Sequence, residues 1–419
     1  MERHGPDSRE AWLRLCVALG LMTVGASGMY VVSVVLPAIQ ADFGVDRSAA
    51  SMPYTATMIG FGLGGIVMGR LADRFGILVP STIGAIGLGL GFVAAGMSPT
   101  LWLFGFAQGL LVGMLGTAST FSPLVADTTL WFDRRRGIAV AICASGNYLG
   151  GALWPTITQH FVETVGWRAT YVGIGIFCVA TMLPLALMLR RRPPALPPAG
   201  SVPASSRPVA ARGVDYARPL GMSPGALQGL LCVAGVACCV AMAMPQVHIV
   251  AYCTDLGFGA ARGAEMLSLM LGFGIVSRLV SGWVSDRIGG LRTLLLGSVL
   301  QGIALLLFLP FDGLASLYVI SAMFGLFQGG IVPSYALIVR EHFPPEQAGT
   351  RVGTVITSTL LGMALGGWMS GAIFDATGSY HAAFLNGIAW NLLNVAIATF
   401  LLHRSGPLRR RPAVAPVAA

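Results

Sequence analysis

The chain contains no lysine. All 26 basic residues among its 419 are arginine, and only 10% of positions carry a charge, against about 25% in soluble domains. A soluble fold of this length could not hide so much apolar surface from water. The 17 acidic residues and 6 histidines do not cluster inside the apolar runs, which argues against an enzyme embedded in lipid, where such groups must stand side by side. The 7 cysteines show no disulfide or metal spacing, and Cys143, Cys178, Cys232, Cys238 and Cys239 lie in apolar stretches as small fillers. No phosphate loop is present, so ATP drive is not expected, and no metal or cofactor site is read from the chain. The first apolar run lacks a positively charged lead and a clear cleavage site, and is read as an uncleaved helix. The net charge of +9 does not point to nucleic acid, because the arginines fall between apolar runs and not on one polar face.

What the chain has in abundance is apolar length. Hydrophobic residues make up 55% of it, and the mean hydropathy is +0.75. Runs long enough to cross a bilayer recur throughout, predicting an all-α polytopic membrane protein. Twelve spans are expected, at about 12–37, 48–69, 78–98, 101–128, 137–160, 168–190, 226–251, 264–285, 292–311, 314–339, 350–374 and 381–403. A stretch rich in Pro, Ala, Ser and Arg separates the sixth from the seventh and reads as a linker. The expected organisation is a six-helix bundle over 1–190, a cytoplasmic linker over 191–223, a second six-helix bundle over 224–405 and a cytoplasmic tail over 406–419. Arginine is concentrated on the side of both termini and the linker, while the opposite segments keep only Arg47, Arg168 and Arg262. That asymmetry predicts a multi-pass protein of the cell inner membrane with both termini in the cytoplasm.

One charged phrase occurs twice. "GRLADRFG" (Gly69 to Gly76) and "GWVSDRIG" (Gly282 to Gly289) each join the second and third spans of one half. Two copies at equivalent places mark an internal duplication. Asp73 and Arg74, with Asp286 and Arg287, are expected to pair charge at the cytoplasmic rim and release it when the halves rock.

The two octets match the loop signature of the major facilitator superfamily, and the chain resembles that superfamily over essentially its whole length. The resemblance implies two six-helix bundles around a central cavity and alternating access. A narrower resemblance is to the monocarboxylate transporter and oxalate/formate antiporter branch. It is carried by "WFDRRRGIAVAICASGNYLGG" (Trp131 to Gly151), "GWRATY" (Gly166 to Tyr171), "HIVAYCTDLG" (His248 to Gly257) and "SRLVSGWVSDRIG" (Ser277 to Gly289). The branch's acidic-Gly-Trp signature and first-helix lysine are absent, Gly274 stands where it has an acid, and the eleventh span has no lysine. These departures argue against a dicarboxylate.

Arg278 is the leading candidate for solute binding. It is the one basic residue placed deep in a span, with Gly274, Ser281 and Ser285 on its face. Its planar fork matches a carboxylate bidentately. His248 could relay a proton or donate to a substrate oxygen, and packing would account for it equally. Asn147 and Trp154 share a face of the fifth span with Gly150 and Gly151 between them, which suits a cavity wall or a helix contact. Tyr30 and Ser33 on the first span, and Gln328 and Tyr335 on the tenth, are weaker candidates of the same kind. The glycine pairs Gly60/Gly64, Gly65/Gly69, Gly325/Gly329 and Gly362/Gly366 are read as close helix packing.

The expected function is secondary transport of a small organic anion, with uptake preferred over export, by a monomer with a small-molecule solute and a coupling proton as its partners. Two alternatives stay open. One is a carrier of a larger neutral or weakly charged solute such as a riboflavin-like vitamin or a drug. The other, more remote, is a membrane receptor or enzyme.

Overall fold

The computed structural model describes residues 7–132, 135–191 and 218–405. The expected linker and tail lie almost wholly outside the described residues. Among these, twelve helices are long and apolar enough to cross a membrane. They are α1 (Arg9–Val34), α2 (Arg47–Phe75), α3 (Leu78–Gly96), α4 (Leu101–Trp131), α5 (Gly137–Val165), α6 (Trp167–Met188), α7 (Pro224–Asp255), α8 (Ala260–Ile288), α9 (Gly290–Leu307), α10 (Leu314–His342), α11 (Gln347–Thr377) and α12 (Tyr380–Arg404). Large apolar side chains such as Trp102, Phe106, Ile176 and Leu90 are exposed on the outer surface, as a lipid-facing protein requires.

The octets are not loops. Each forms the last two turns of its helix, and the helix stops at its terminal glycine. Gly76 (φ 83°, ψ 169°) and Gly289 (φ 84°, ψ 164°) adopt the same backbone conformation, which only glycine enters without strain. The repeat therefore extends to the dihedral angles of the turn. The hydropathy reading ended these spans too early because charge begins before the helix ends.

Small residues set the helix contacts. A Cβ on Gly60 or Gly64 would strike the backbone of α4 at Gly109 or Met114, where α4 widens into π-helical turns over Ala107–Thr117. One on Gly329 would lie 2.6 Å from the Gly274 carbonyl, one on Gly362 2.5 Å from that of Val236, and Gly325 and Gly366 are equally closed. Three of the four glycine pairs thus pack as expected. The pair Gly65/Gly69 does not: Gly69 faces open space and Gly65 meets only Ser122 at 3.9 Å.

The halves touch along two main seams, α2 with α11 and α5 with α8, and more lightly where α1 meets α7. Both main seams run from the end opposite the octets to mid-helix. Along the first, the Thr55 hydroxyl donates to the Ala364 carbonyl (2.9 Å), Tyr54 lies on Gly367, and Gly62 lies beside Leu360. Along the second, Thr156 and Ser268 share a hydrogen bond (2.9 Å), Gly151 lies on Leu271, and Gly274 lies on the ring of Tyr148. Towards the octets, Gly69 on α2, Gly137 on α5, Gly282 on α8, and Gly349 and Gly353 on α11 have nothing within 4 Å of where a Cβ would stand. The molecule is closed at one end and parted at the other.

Candidate functional site

Arg278 lies on the α5–α8 seam, near the point where the seam parts. It is half-buried. Its Nη1 donates to the Ala144 carbonyl (3.2 Å), and its guanidinium sits 4.5 Å above the ring of Tyr148. No carboxylate pairs with it among the described residues, and its buried Nε has no partner. An unpaired guanidinium with a free donor at that depth has the chemistry to accept an anion. Its face is not the open strip that the glycine and serines implied. Gly274 is filled by Tyr148, and Ser281 packs against Gly330.

Tyr148 was missed by the sequence reading. It follows Asn147 on α5 but points the other way, across the seam. The Tyr30 hydroxyl donates to Asn147 Oδ1 (2.9 Å), and a Cβ on Gly151 would meet both the Tyr30 ring at 2.8 Å and Leu271 of α8 at 2.6 Å. The structure therefore brings Arg278, Asn147 and Tyr30 into one neighbourhood and adds Tyr148.

The other candidates lie elsewhere. Trp154 donates its indole N–H to the Thr23 carbonyl (3.0 Å) and stacks edge-on against Phe177, so it ties α5 to α1. Ser33 is buried on α1. Gln328 accepts from Gln246 (2.9 Å) inside the second half, with its own Nε2 buried and unpartnered. Tyr335 donates to Asn394 Oδ1 (2.9 Å) in the same interior. His248 is fully buried. Its Nε2 lies 2.7 Å from the Gly367 carbonyl, which can only accept, so Nδ1 takes the hydrogen bond from Tyr380 (3.1 Å). It is a strut between α7, α11 and α12.

Arg278 is not the only buried arginine. Arg14 pairs with Asp127 (2.8 Å), caps the end of α6 through the Leu189 carbonyl and lies over Trp131. Arg47, expected in a surface segment, is 6% exposed at the start of α2. Its Nη1 and Nη2 donate to the two oxygens of Asp255 (3.1 Å each), and Nη1 also donates to the Tyr380 hydroxyl (2.8 Å). The backbone N–H groups of Arg47 and Ser48 donate to the two oxygens of Asp375 (2.9 and 2.8 Å). Arg47 belongs to the first half, and Asp255, Asp375 and Tyr380 to the second. This clasp closes the end opposite the octets. At the octet end, Asp73, Arg74, Asp286 and Arg287 are exposed and make no ion pair among the described residues, and the two arginines lie over Phe75 and Trp283.

A sequence profile described as Major Facilitator Superfamily matches residues 17–311 and 230–418. The chain belongs to the major facilitator superfamily. Among its relatives in this superfamily, Monocarboxylate transporter 13 of Bos taurus is 26% identical, over 83% of this chain and 77% of the relative. The MFS-type transporter opdF of Penicillium oxalicum is 25% identical, over 81% and 77%. Among solved structures, a bacterial homolog to human lysosomal transporter Spinster in an inward-facing and unoccupied conformation superposes with a TM-score of 0.69 at 14% identity, covering 94% of this chain and 95% of that one. A peptide transporter POT in complex with sulfate gives 0.70 at 14%, covering 94% of each chain. The protein is a multi-pass membrane transporter of the superfamily, and its twelve-helix fold is the one expected from the sequence.

Proposed function

We propose that this transporter carries a small organic anion of monocarboxylate type across the inner membrane, by alternating access, as a monomer. The octet end faces the cytoplasm, which agrees with the arginine asymmetry and makes the parted end inward. The observation that carries the reading is Arg278, a guanidinium without a carboxylate partner among the described residues, braced by the Ala144 carbonyl and the Tyr148 ring at the mouth of the parting. A substrate carboxylate supplies the charge this site lacks, and Asn147 and Tyr30 flank it. Similarity to Monocarboxylate transporter 13 supports the same class. The proton-coupled form of this reading does not use His248, whose two nitrogens are both engaged.

Uptake of labelled monocarboxylates into proteoliposomes tests the proposal. Arg278→Ala abolishes uptake while the protein still reaches the membrane, and Arg278→Lys retains little, because an ammonium cannot reproduce the fork. Near wild-type affinity in the alanine variant, or a wild type that binds only neutral solutes, refutes it. The second reading, a larger neutral or weakly charged solute, is favoured by the phenol rings of Tyr30 and Tyr148 near the site. It is also favoured by relatives such as the agnestins efflux protein AgnL12 of Paecilomyces divaricatus, 22% identical over 84% of this chain.

A further inference from the structure

The clasp around Arg47 exists once in a chain whose plan occurs twice. Asp73 and Asp286 are 213 residues apart, and the same interval relates Asp42 to Asp255 and Arg47 to Ala260. In the first half Asp42 pairs with Arg168, which opens α6 (2.7 Å). The position matching Arg168 in the second half is His381, so Asp255 has no arginine there and takes Arg47 from the other half. Asp375 stands three residues before Gly378, which closes α11, and Glu163 stands three before Gly166, which closes α5. Glu163, however, accepts from Gln159 of its own helix (2.9 Å). The matching start of α8 is Ala260 and Ala261, and Arg262 beside them pairs with Glu265 of its own helix (3.0 Å).

The start of α2 therefore gathers five donors: the N–H groups of Arg47 and Ser48, Nη1 and Nη2 of Arg47, and its Nε. Carboxylate oxygens of the opposite half engage four of them. The fifth, Nε, is buried without a partner on a side chain that is itself almost fully buried. A helix N-terminus that carries an arginine and already holds two carboxylates is built for that group.

We infer that the start of α2 is a second carboxylate-binding site, at the outer rim, which Asp255 and Asp375 occupy when that end is closed and for which an incoming organic carboxylate competes. Only the identity of the incoming ligand rests on the organic-anion reading above. Each carboxylate that arrives displaces an internal one, so ligand capture and release of the clasp are one event. The ligand binds the opened clasp alone and shifts the population towards it by that difference in affinity. Asp255 keeps a third of its side chain in contact with solvent even when paired, so it rehydrates readily on release.

Spin labels at Ala41, on the short helix Leu36–Phe43 that follows α1, and at Ala376, near the end of α11, both exposed at that end, report the opening in the purified protein. Sodium acetate at millimolar concentration is the probe, and sodium chloride at equal ionic strength is the control. The expected result is a saturable shift to longer distances with acetate and none with chloride. The Arg278→Ala protein keeps the shift. Arg47→Gln gives the long distances with or without acetate. In the Asp255→Asn, Asp375→Asn double variant the end opens without ligand, and calorimetry finds acetate bound at least tenfold more tightly than by the wild type. The inference is overturned if chloride acts as acetate does, if Arg278→Ala removes the shift, or if the double variant gains no affinity. Failure of the organic-anion reading shows instead in the uptake assays and leaves the distance shift untouched.

Discussion

Replacing Asp375 by Asn should unlock the outer end without unfolding the protein. The carboxylate accepts from two backbone N–H groups at the first turn of α2, 2.9 and 2.8 Å away. An amide oxygen can satisfy one of the two and carries no charge. The loss combines an N-terminal cap, worth about 1 kcal/mol, with a helix-dipole interaction of about 0.3–1 kcal/mol. Asp375 is exposed, so solvent screening keeps the sum at the low end, about 1–1.5 kcal/mol. At about 1.4 kcal/mol per tenfold, the closed-to-open ratio should fall roughly 5- to 12-fold. Ser51 lies directly behind the clasp and is buried. In a Cys253→Ser background, a Ser51→Cys reporter should react with an impermeant maleimide from the outer face, at a rate that rises by that factor with Asp375→Asn. Glu163→Gln, the matching position on the other seam, should leave the rate within twofold. An unchanged rate for Asp375→Asn, or an equal rise for both variants, refutes the reasoning.

Four further outcomes are expected. Tyr148→Phe should keep uptake within twofold, because the ring still braces Arg278, whereas Tyr148→Leu should lose about 0.5–1 kcal/mol of cation–π support and reduce the initial uptake rate about 2- to 5-fold. Trp154→Phe should lower stability by about 1 kcal/mol through the lost hydrogen bond to Thr23, seen as a lower Tm with unchanged solute affinity. Gly76→Ala should cost about 1 kcal/mol or more at a φ of 83°, and Gly289→Ala the same at 84°, again read as Tm. A green fluorescent protein fused to the C-terminus should fluoresce and an alkaline phosphatase fused there should stay inactive, as the arginine asymmetry predicts for a cytoplasmic C-terminus.

The fold was legible because its signal is solvent-driven. A bilayer forces every span to be apolar along about twenty residues, so length and hydropathy locate α1 to α12 within a few positions. The misjudged ends were those where helix and membrane part company, as at Phe75 and Ile288, where the octets continue the helix beyond the apolar run. The site was legible only in part. Arg278 stood out because charge in an apolar run is costly, and Asn147 and Tyr30 were found through their helix faces. Tyr148 gave no signal, since a tyrosine in an apolar span is ordinary until the helix across the seam is known. Arg47 entered only as one of three arginines in the segments away from the termini, just ahead of a span expected to start at 48. Its partners lie 208 and 328 residues away, beyond the reach of periodicity. One clue was available: the interval between the octets also links Asp42 to Asp255, and the second of these lacks the arginine that serves the first.

The vacant glycines at the octet end carry a consequence of their own. Gly69, Gly137, Gly282, Gly349 and Gly353 lie on the four helices of the two main seams, yet none is pressed by a neighbour among the described residues. Their smallness is idle in this conformation. It becomes necessary only if these same helices meet there in another, with the outer end apart. The chain then holds two contact surfaces for one pair of bodies and can close only one at a time. Such a molecule works as a balance: every contact surrendered at one rim is matched by one formed at the other, and a difference of one or two kcal/mol, on the order of a single bound solute, is enough to tip it.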